Sequence, residues 1–321
     1  MRPIRIAIIG YGKIAADQHV PSIESNPRFD LVATSSRSGQ GVAKTFTDWR
    51  ELIRNVEGLE AVAITTPPEP RFDIARECIA AGLHCLLEKP PTAGLAEIAD
   101  LECLAQGKGV TLFTTWHAQH HSTVDAAARA LAGKRIKSLE IHWHEDVHKW
   151  HPGQRWIWEP GGFGVFDPGI NALSIVTKIF PGGLFVKSAE LKVPENAQTP
   201  IAADIAFSSP EADGPLHASL DWRRSEGEEW TITVETSDGS AVRLEDGGAK
   251  LILDGQVHSD DGPGEYPDIY RVFVDLIDER RSLVDVAPFR LVADCLLVGR
   301  RTIVEAVRGW WSKWPPRALL T

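Results

Sequence analysis

Three polar residues offer the chemistry this sequence can be read for: Lys89, Asp167 and Asn171. Lys89 closes the run His84-Cys-Leu-Leu-Glu88 and is followed by Pro90-Pro91, whose restricted backbone holds the lysine in a set direction as the chain leaves a strand. An ammonium group there can hydrogen-bond a reacting oxygen and stabilise the negative charge that develops on it. Asp167 and Asn171 stand in Gly161-Gly162-Phe-Gly164-Val-Phe-Asp167-Pro168-Gly169-Ile-Asn171. A helix starting near Pro168 makes Asp167 the N-cap, with proline at the first helical position and Asn171 one turn along the same side. Plain capping explains that spacing as well as catalysis does. The two side chains are not equivalent, because a carboxylate can accept a proton and a neutral amide can only orient a hydroxyl.

The elements that must position these groups begin at the N-terminus. Ile6-Ala-Ile-Ile-Gly10-Tyr-Gly12-Lys-Ile-Ala15 sets an apolar strand before a glycine turn that opens a helix, a dinucleotide fingerprint. Gly10 allows the tight turn, Gly12 lets backbone N–H groups approach a pyrophosphate, and Ala15 permits close helix packing. Lys13 and Ile14 complete the cofactor-facing turn, with the pyrophosphate on the helix N-terminus. Through residue 120, strand patterns at 5–9, 30–35, 61–65, 84–88 and 111–115 alternate with helical patterns near 14–25, 70–81 and 93–106. That order predicts a parallel sheet whose ligands lie beyond the carboxyl ends of its strands. Thr66, Pro67, Glu88 and Lys89 follow such ends and join the predicted cofactor contacts.

The second strand is followed by Thr34-Ser35-Ser36-Arg37, where an NAD-specific site usually carries an acid for the ribose 2′-hydroxyl. Asp30 lies at the wrong end of that strand. Ser36 and Arg37 suit a 2′-phosphate instead, so NADP is the preferred cofactor and NAD remains usable. From about 122 the pattern changes to strands at 136–145, 185–193, 201–208, 215–223, 229–236, 240–245 and 249–253, separated by Asp-Gly turns that suit hairpins. Segments 265–279 and 287–307 read as helices. The predicted organisation is α/β: a dinucleotide-binding domain over 1–121 and a substrate domain over 122–321 with a large, mostly antiparallel sheet.

Composition narrows the partners. A length of 321 residues suits two domains with their own cores. The 43% hydrophobic and 24% charged content is that of a globular protein. A net charge of -10 without a long basic run argues against nucleic acid and anionic membranes, leaving a small molecule as the expected ligand. The apolar run after Met1 ends at Gly10, too short for a secretory signal, so a cytoplasmic protein is expected. Cys78, Cys85, Cys103 and Cys295 are scattered, which fits reduced thiols rather than a disulfide framework.

The combination Gly10-x-Gly12-x-x-Ala15, Thr66-Pro67-Pro68 and Glu88-Lys89-Pro90 resembles the glucose-fructose oxidoreductase / inositol dehydrogenase family, across nearly the whole chain. The resemblance implies a Rossmann domain, a C-terminal α/β domain whose sheet often makes a subunit contact in a homo-oligomer such as a dimer, and a last helix packed back near the first domain. Family members carry an aspartate and commonly a histidine at the places of Asp167 and Asn171; asparagine is a departure. With Trp150-His151-Pro-Gly-Gln154-x-Trp156-Ile-Trp158-Glu159, that departure is similar to one branch, the bacterial L-arabinose and D-galactose 1-dehydrogenases. The implied reaction is oxidation of an aldose at its anomeric carbon to a lactone, foremost of L-arabinose, with D-galactose and D-fucose also used. Asp167 would draw the proton and Lys89 assist. His117, Glu145, Trp150 and His151, together with Lys89, Asp167 and Asn171, are the expected sugar contacts, a tryptophan stacking on the ring. His142 and His144 share a strand face and could chelate, but no Cys or H-E-x-x-H geometry supports a site and nicotinamide hydride transfer needs no metal, so no metal site is expected.

Overall fold

The computed structural model describes residues 2–259 and 262–307. They divide into two compact units, with boundaries after His120, before Gly262 and after Val286. The first cut falls one residue from the predicted boundary. The return of 262–286 to the first unit was not predicted.

In the first unit, β1 (Ile4–Ile9), β2 (Phe29–Ser35), β3 (Lys44–Phe46), β4 (Ala61–Ile64), β5 (His84–Leu87) and β6 (Leu112–Thr114) form a parallel sheet in the order β3-β2-β1-β4-β5-β6. Its central strands are apolar on both faces because both faces are covered, as parallel sheets require. Ala7, Ile9, Val62, Ile64, Cys85 and Leu87 pack with the helices Pro68–Ala80 and Leu95–Lys108. Ile6, Ile8, Ala61, Ala63 and Leu86 face Tyr266, Ile269, Tyr270, Phe273 and Val274 of the helix Glu265–Asp278. These five recur at the spacing of a single helical face, which explains why a segment so late in the chain joins the first sheet. The segment expected as one helix over 287–307 divides instead. Over 287–307 there is a helix, Ala287–Val298, and then a strand, and this helix packs in the second unit against the helix Phe166–Ile179.

Among the described residues the second unit holds nine strands. After β7 (Ile136–His144) come β8 (Phe185–Pro194), β9 (Ala202–Ser208), β10 (Leu216–Asp221), β11 (Glu229–Thr236), β12 (Ala241–Glu245), β13 (Lys250–Leu253), β14 (Gln256–Ser259) and β15 (Arg300–Val304). Their order is β14-β13-β12-β11-β7-β10-β9-β8-β15, with only β7/β10 and β8/β15 parallel. Side chains alternate strictly: Leu139, Ile141 and Trp143 of β7 are buried, while Glu140, His142 and His144 occupy the opposite face. The helices Ser122–Leu131 and Phe166–Ile179 pack on this sheet. The Trp310-Trp311-x-x-Trp314 tail lies outside the described residues.

Candidate active site

The turn after β1 has the form the fingerprint predicts. Gly10 has φ +104°, and a Cβ there would lie 2.6 Å from the Thr66 backbone nitrogen, so glycine is required by the protein itself. Gly12 differs. Its nearest neighbour to an added Cβ is Gly10 O at 3.8 Å, so nothing among the described residues demands a glycine or fills the space above it. That open approach, beside a helix that begins within three residues, fits a pyrophosphate. Ile14 is 39% exposed on this turn, and Lys13 is ion-paired with Asp17 one turn later. Arg37 is exposed, as a 2′-phosphate ligand must be. Ser36 is already committed, its hydroxyl donating to Gln40 O at 2.7 Å within its own turn.

Glu88 is the hub of the first unit's site, and it is not presented to solvent. Its Oε1 accepts from Tyr266 Oη at 2.8 Å and faces His19 Nε2 at 3.1 Å, while Oε2 accepts from the Lys89 backbone N–H at 2.8 Å. His19, fully buried, also meets Tyr270 Oη at 2.7 Å through Nδ1. The predicted cofactor contact is therefore an internal anchor that fixes the backbone of Lys89. Burial pushes the Glu88 carboxyl up, and His19, His117 and Tyr266 outweigh it, holding the pKa at about 2. His117 stacks on Tyr266 and its Nδ1 lies 2.9 Å from Glu265; burial lowers its pKa, but Glu265 and Glu88 raise it above the ordinary value.

Arg71, buried in the helix Pro68–Ala80, donates to the carbonyl oxygens of Thr66, Glu88 and Pro90. One guanidinium thus ties together the two strand ends that carry the Thr66-Pro67 and Glu88-Lys89-Pro90 steps, using the fixed fork that distinguishes arginine from lysine. No local signal marks it in the sequence. Tyr266 and Tyr270, one helical turn apart, were likewise not among the sequence candidates.

In the second unit, the helix Phe166–Ile179 begins with Val165 as N-cap. Asp167 is therefore its second residue, not the predicted cap. The Phe166 N–H bonds Phe163 O at 3.1 Å and the Asp167 N–H bonds Gly164 O at 2.9 Å, so a tight turn leads directly into the helix. Pro168 lacks an N–H but sits within the first turn, where that donor has no helical partner in any case. The buried Asp167 carboxylate lies with Oδ2 3.5 Å from His151 Nε2. Asn171, partly buried, follows four residues later on the same helix. A titratable imidazole thus stands beside Asp167 although position 171 is an amide.

The predicted sugar contacts Glu145, Trp150 and His151 fall within one aromatic cluster. Glu145 accepts from Trp222 Nε1 at 3.0 Å through Oε1 and from Trp230 Nε1 at 2.9 Å through Oε2. With 5% of it exposed, Glu145 anchors two indoles rather than reaching outward. His151 packs on Trp222 with ring centroids 5.0 Å apart, and Trp222 on Trp158 at 5.4 Å. Trp150, 45% exposed, meets Trp230 edge-on at 5.7 Å and donates to Glu228 Oε1 at 2.5 Å. Trp222 and Trp230 were absent from the candidates, although the alternation Leu216, Ala218, Leu220, Trp222 already places Trp222 on the helix-covered face.

A dinucleotide turn and a buried carboxylate-imidazole pair define an oxidoreductase of the Rossmann class. The family model for oxidoreductases with an NAD-binding Rossmann fold matches residues 4–116. Over 319 residues the chain is 46% identical to a galactose 1-dehydrogenase of Pseudomonas fluorescens, covering 95% of this chain and 99% of that protein. A crystal structure of a D-galactose-1-dehydrogenase from Rhizobium etli superposes with a TM-score of 0.90 at 47% identity, covering 96% and 98% of the two chains. KijD10, a 3-ketoreductase from Actinomadura kijaniata crystallised with NADP, shares the fold at a TM-score of 0.75 and 16% identity. The chain belongs to the glucose-fructose oxidoreductase / inositol dehydrogenase family of oxidoreductases. Among the described residues, no helix is long and apolar enough to cross a membrane.

Proposed function

We propose that this protein is an NAD(P)-dependent aldose 1-dehydrogenase that oxidises the anomeric carbon of D-galactose, L-arabinose and D-fucose to the corresponding lactones. The observation that carries this reading is the buried Asp167 carboxylate 3.5 Å from His151, in a chain 46% identical to a galactose 1-dehydrogenase. Asp167 takes the proton of the C1 hydroxyl, a group more acidic than an ordinary alcohol, and His151 shares that proton. Lys89 donates to the same oxygen and Asn171 orients a neighbouring hydroxyl. The turn at Gly10 and Gly12 would hold the pyrophosphate of a nicotinamide dinucleotide, which would supply the hydride acceptor for C1. Of the two tryptophans that Glu145 fixes, Trp230, partly exposed, is the one that can face the apolar side of a sugar ring, while Trp222 is fully buried.

The three sugars share their ring hydroxyl configuration and differ only in the C5 substituent, so discrimination among them rests on fit at one carbon, worth about 1–3 kcal/mol. A panel of aldoses with NADP or NAD, followed by absorbance of the reduced nicotinamide, tests the reading. D-Galactose, L-arabinose and D-fucose are expected to turn over well and D-glucose, inverted at C4, poorly. Equal rates on D-xylose or inositol, or no turnover of any aldose, would remove it.

Cofactor choice is tested separately. We assign the 2′-phosphate of NADP to Arg37, with NAD as the weaker alternative, because no acid occupies the end of β2 and the Arg37 guanidinium is exposed there. Arg37→Ala is expected to raise Kd for NADP by about tenfold or more, in line with loss of a charge-assisted hydrogen bond, while Kd for NAD moves little. Equal losses for both cofactors would refute the assignment.

A further inference from the structure

We propose that His142, His144 and Glu229 bind one zinc-class divalent ion on the face of the second sheet opposite the tryptophan cluster. His142 and His144, two residues apart on β7, project to the same side, and Glu229 opens β11 directly across from His144 in the antiparallel register. The two imidazoles lie 5.6 Å apart by ring centroid. One ligand atom from each of the three residues falls within 4.8 Å of the others, so modest side-chain rotation closes them onto an ion at the roughly 2.0–2.2 Å that zinc takes with nitrogen and oxygen.

The surroundings prepare His144 for this role. Its Nε2 lies 3.0 Å from Ser219 Oγ on β10, and its Nδ1 faces Glu229 Oε2 at 4.0 Å. An Nε2–H donated to Ser219 fixes the tautomer in which the Nδ1 lone pair points toward Glu229, the arrangement in which an outer partner orients a metal-binding histidine. Two imidazoles and one carboxylate favour zinc, cobalt or nickel over magnesium or calcium, which prefer all-oxygen shells. Three protein ligands leave a fourth position for water.

One resident cation competes. Arg224 Nη2 lies 3.6 Å from Glu229 Oε2, in a half-buried pair at a distance beyond a normal hydrogen bond. The ion would displace it. Glu145 begins on the opposite face of the same strand, one residue beyond His144, so this is a second binding function, separate from the proton-transfer pair. It ties β7 to β11 directly and to β10 through Ser219.

The test is a titration of the purified full-length protein, stripped with chelator and dialysed, with Co2+ and then Zn2+. One Co2+ per chain is expected, with visible d–d absorption that Zn2+ abolishes, and with no competition from Mg2+. His142→Ala and Glu229→Gln are expected to weaken Zn2+ binding by about 100-fold, and Ser219→Ala, which touches no proposed ligand-metal bond, by about tenfold. Arg224→Gln is expected to tighten it. Absence of Co2+ absorption, equal competition by Mg2+, or a Zn2+ affinity unchanged in Glu229→Gln and Ser219→Ala would overturn the proposal.

Discussion

Asp167→Ala is expected to lower kcat on D-galactose or L-arabinose by about 10²- to 10⁴-fold, the range typical of removing a positioned general base. The cofactor Kd is expected to stay within about twofold, since the Gly10–Gly12 turn belongs to the other compact unit. The helix itself tolerates the substitution, because Asp167 is its second residue and alanine is the best helix former. Asp167→Asn sharpens the test, because the amide preserves shape and hydrogen bonding but takes no proton at neutral pH. Both variants should be equally inactive if proton uptake is the role of Asp167. His151→Gln should cost less, and its effect should not add to that of Asp167→Ala, because the two groups act as one unit. Single-turnover and steady-state rates at saturating sugar decide the matter; a variant keeping a tenth or more of wild-type turnover would end this assignment.

The contrast between Asp167 and Glu145 shows what the sequence can and cannot convey. Both were candidates because they are acids near strand or helix ends. Strand period alone puts Glu145 on the same face as Trp143, where a lone carboxylate cannot be buried unpaired, so its partners had to be found. They are Trp222 and Trp230, from β10's end and β11, and the sequence separation of 77 and 85 residues hides them from any local pattern. The dinucleotide turn, by contrast, was legible because its whole logic is local: one strand, a positive-φ glycine and the start of a helix. The parallel sheet was legible for the same reason. The helix Glu265–Asp278 was legible as a helix but not as part of the first unit, since amphipathic spacing tells which side is buried and not against what. Arg71 lies at the far end of this scale. Its partners are backbone carbonyls, which carry no residue identity, so no motif could have named it.

Glu88 carries the second large effect, and here stability and turnover are coupled. Its folded pKa of about 2 lies below the ordinary 4.5, so the carboxylate contributes stability that is fully present above about pH 4.5 and is lost as pH falls toward 2. A depression of this size corresponds to about 3 kcal/mol. His117, with a raised pKa, has the opposite sign: its contribution is present at low pH and lost as pH rises through its folded value, so acid loss belongs to Glu88. Glu88→Gln replaces a buried carboxylate that accepts from Tyr266 and faces His19, and is expected to cost about 3 kcal/mol at pH 7, in line with the depressed pKa of Glu88. Urea unfolding at pH 7 and at pH 3 reads the sign directly: the gap between wild type and variant should narrow on acidification, because only in the wild type does unfolding then take up a proton at this side chain. A gap that stays constant would show that the charge of Glu88 is not what stabilises this site. In the folded variant at pH 7, the Lys89 N–H also exchanges an anionic acceptor for a neutral one. Turnover should therefore fall even at temperatures where Glu88→Gln remains fully folded, and Arg71, still gripping the Glu88 and Pro90 carbonyls, limits how far the Lys89 backbone can drift.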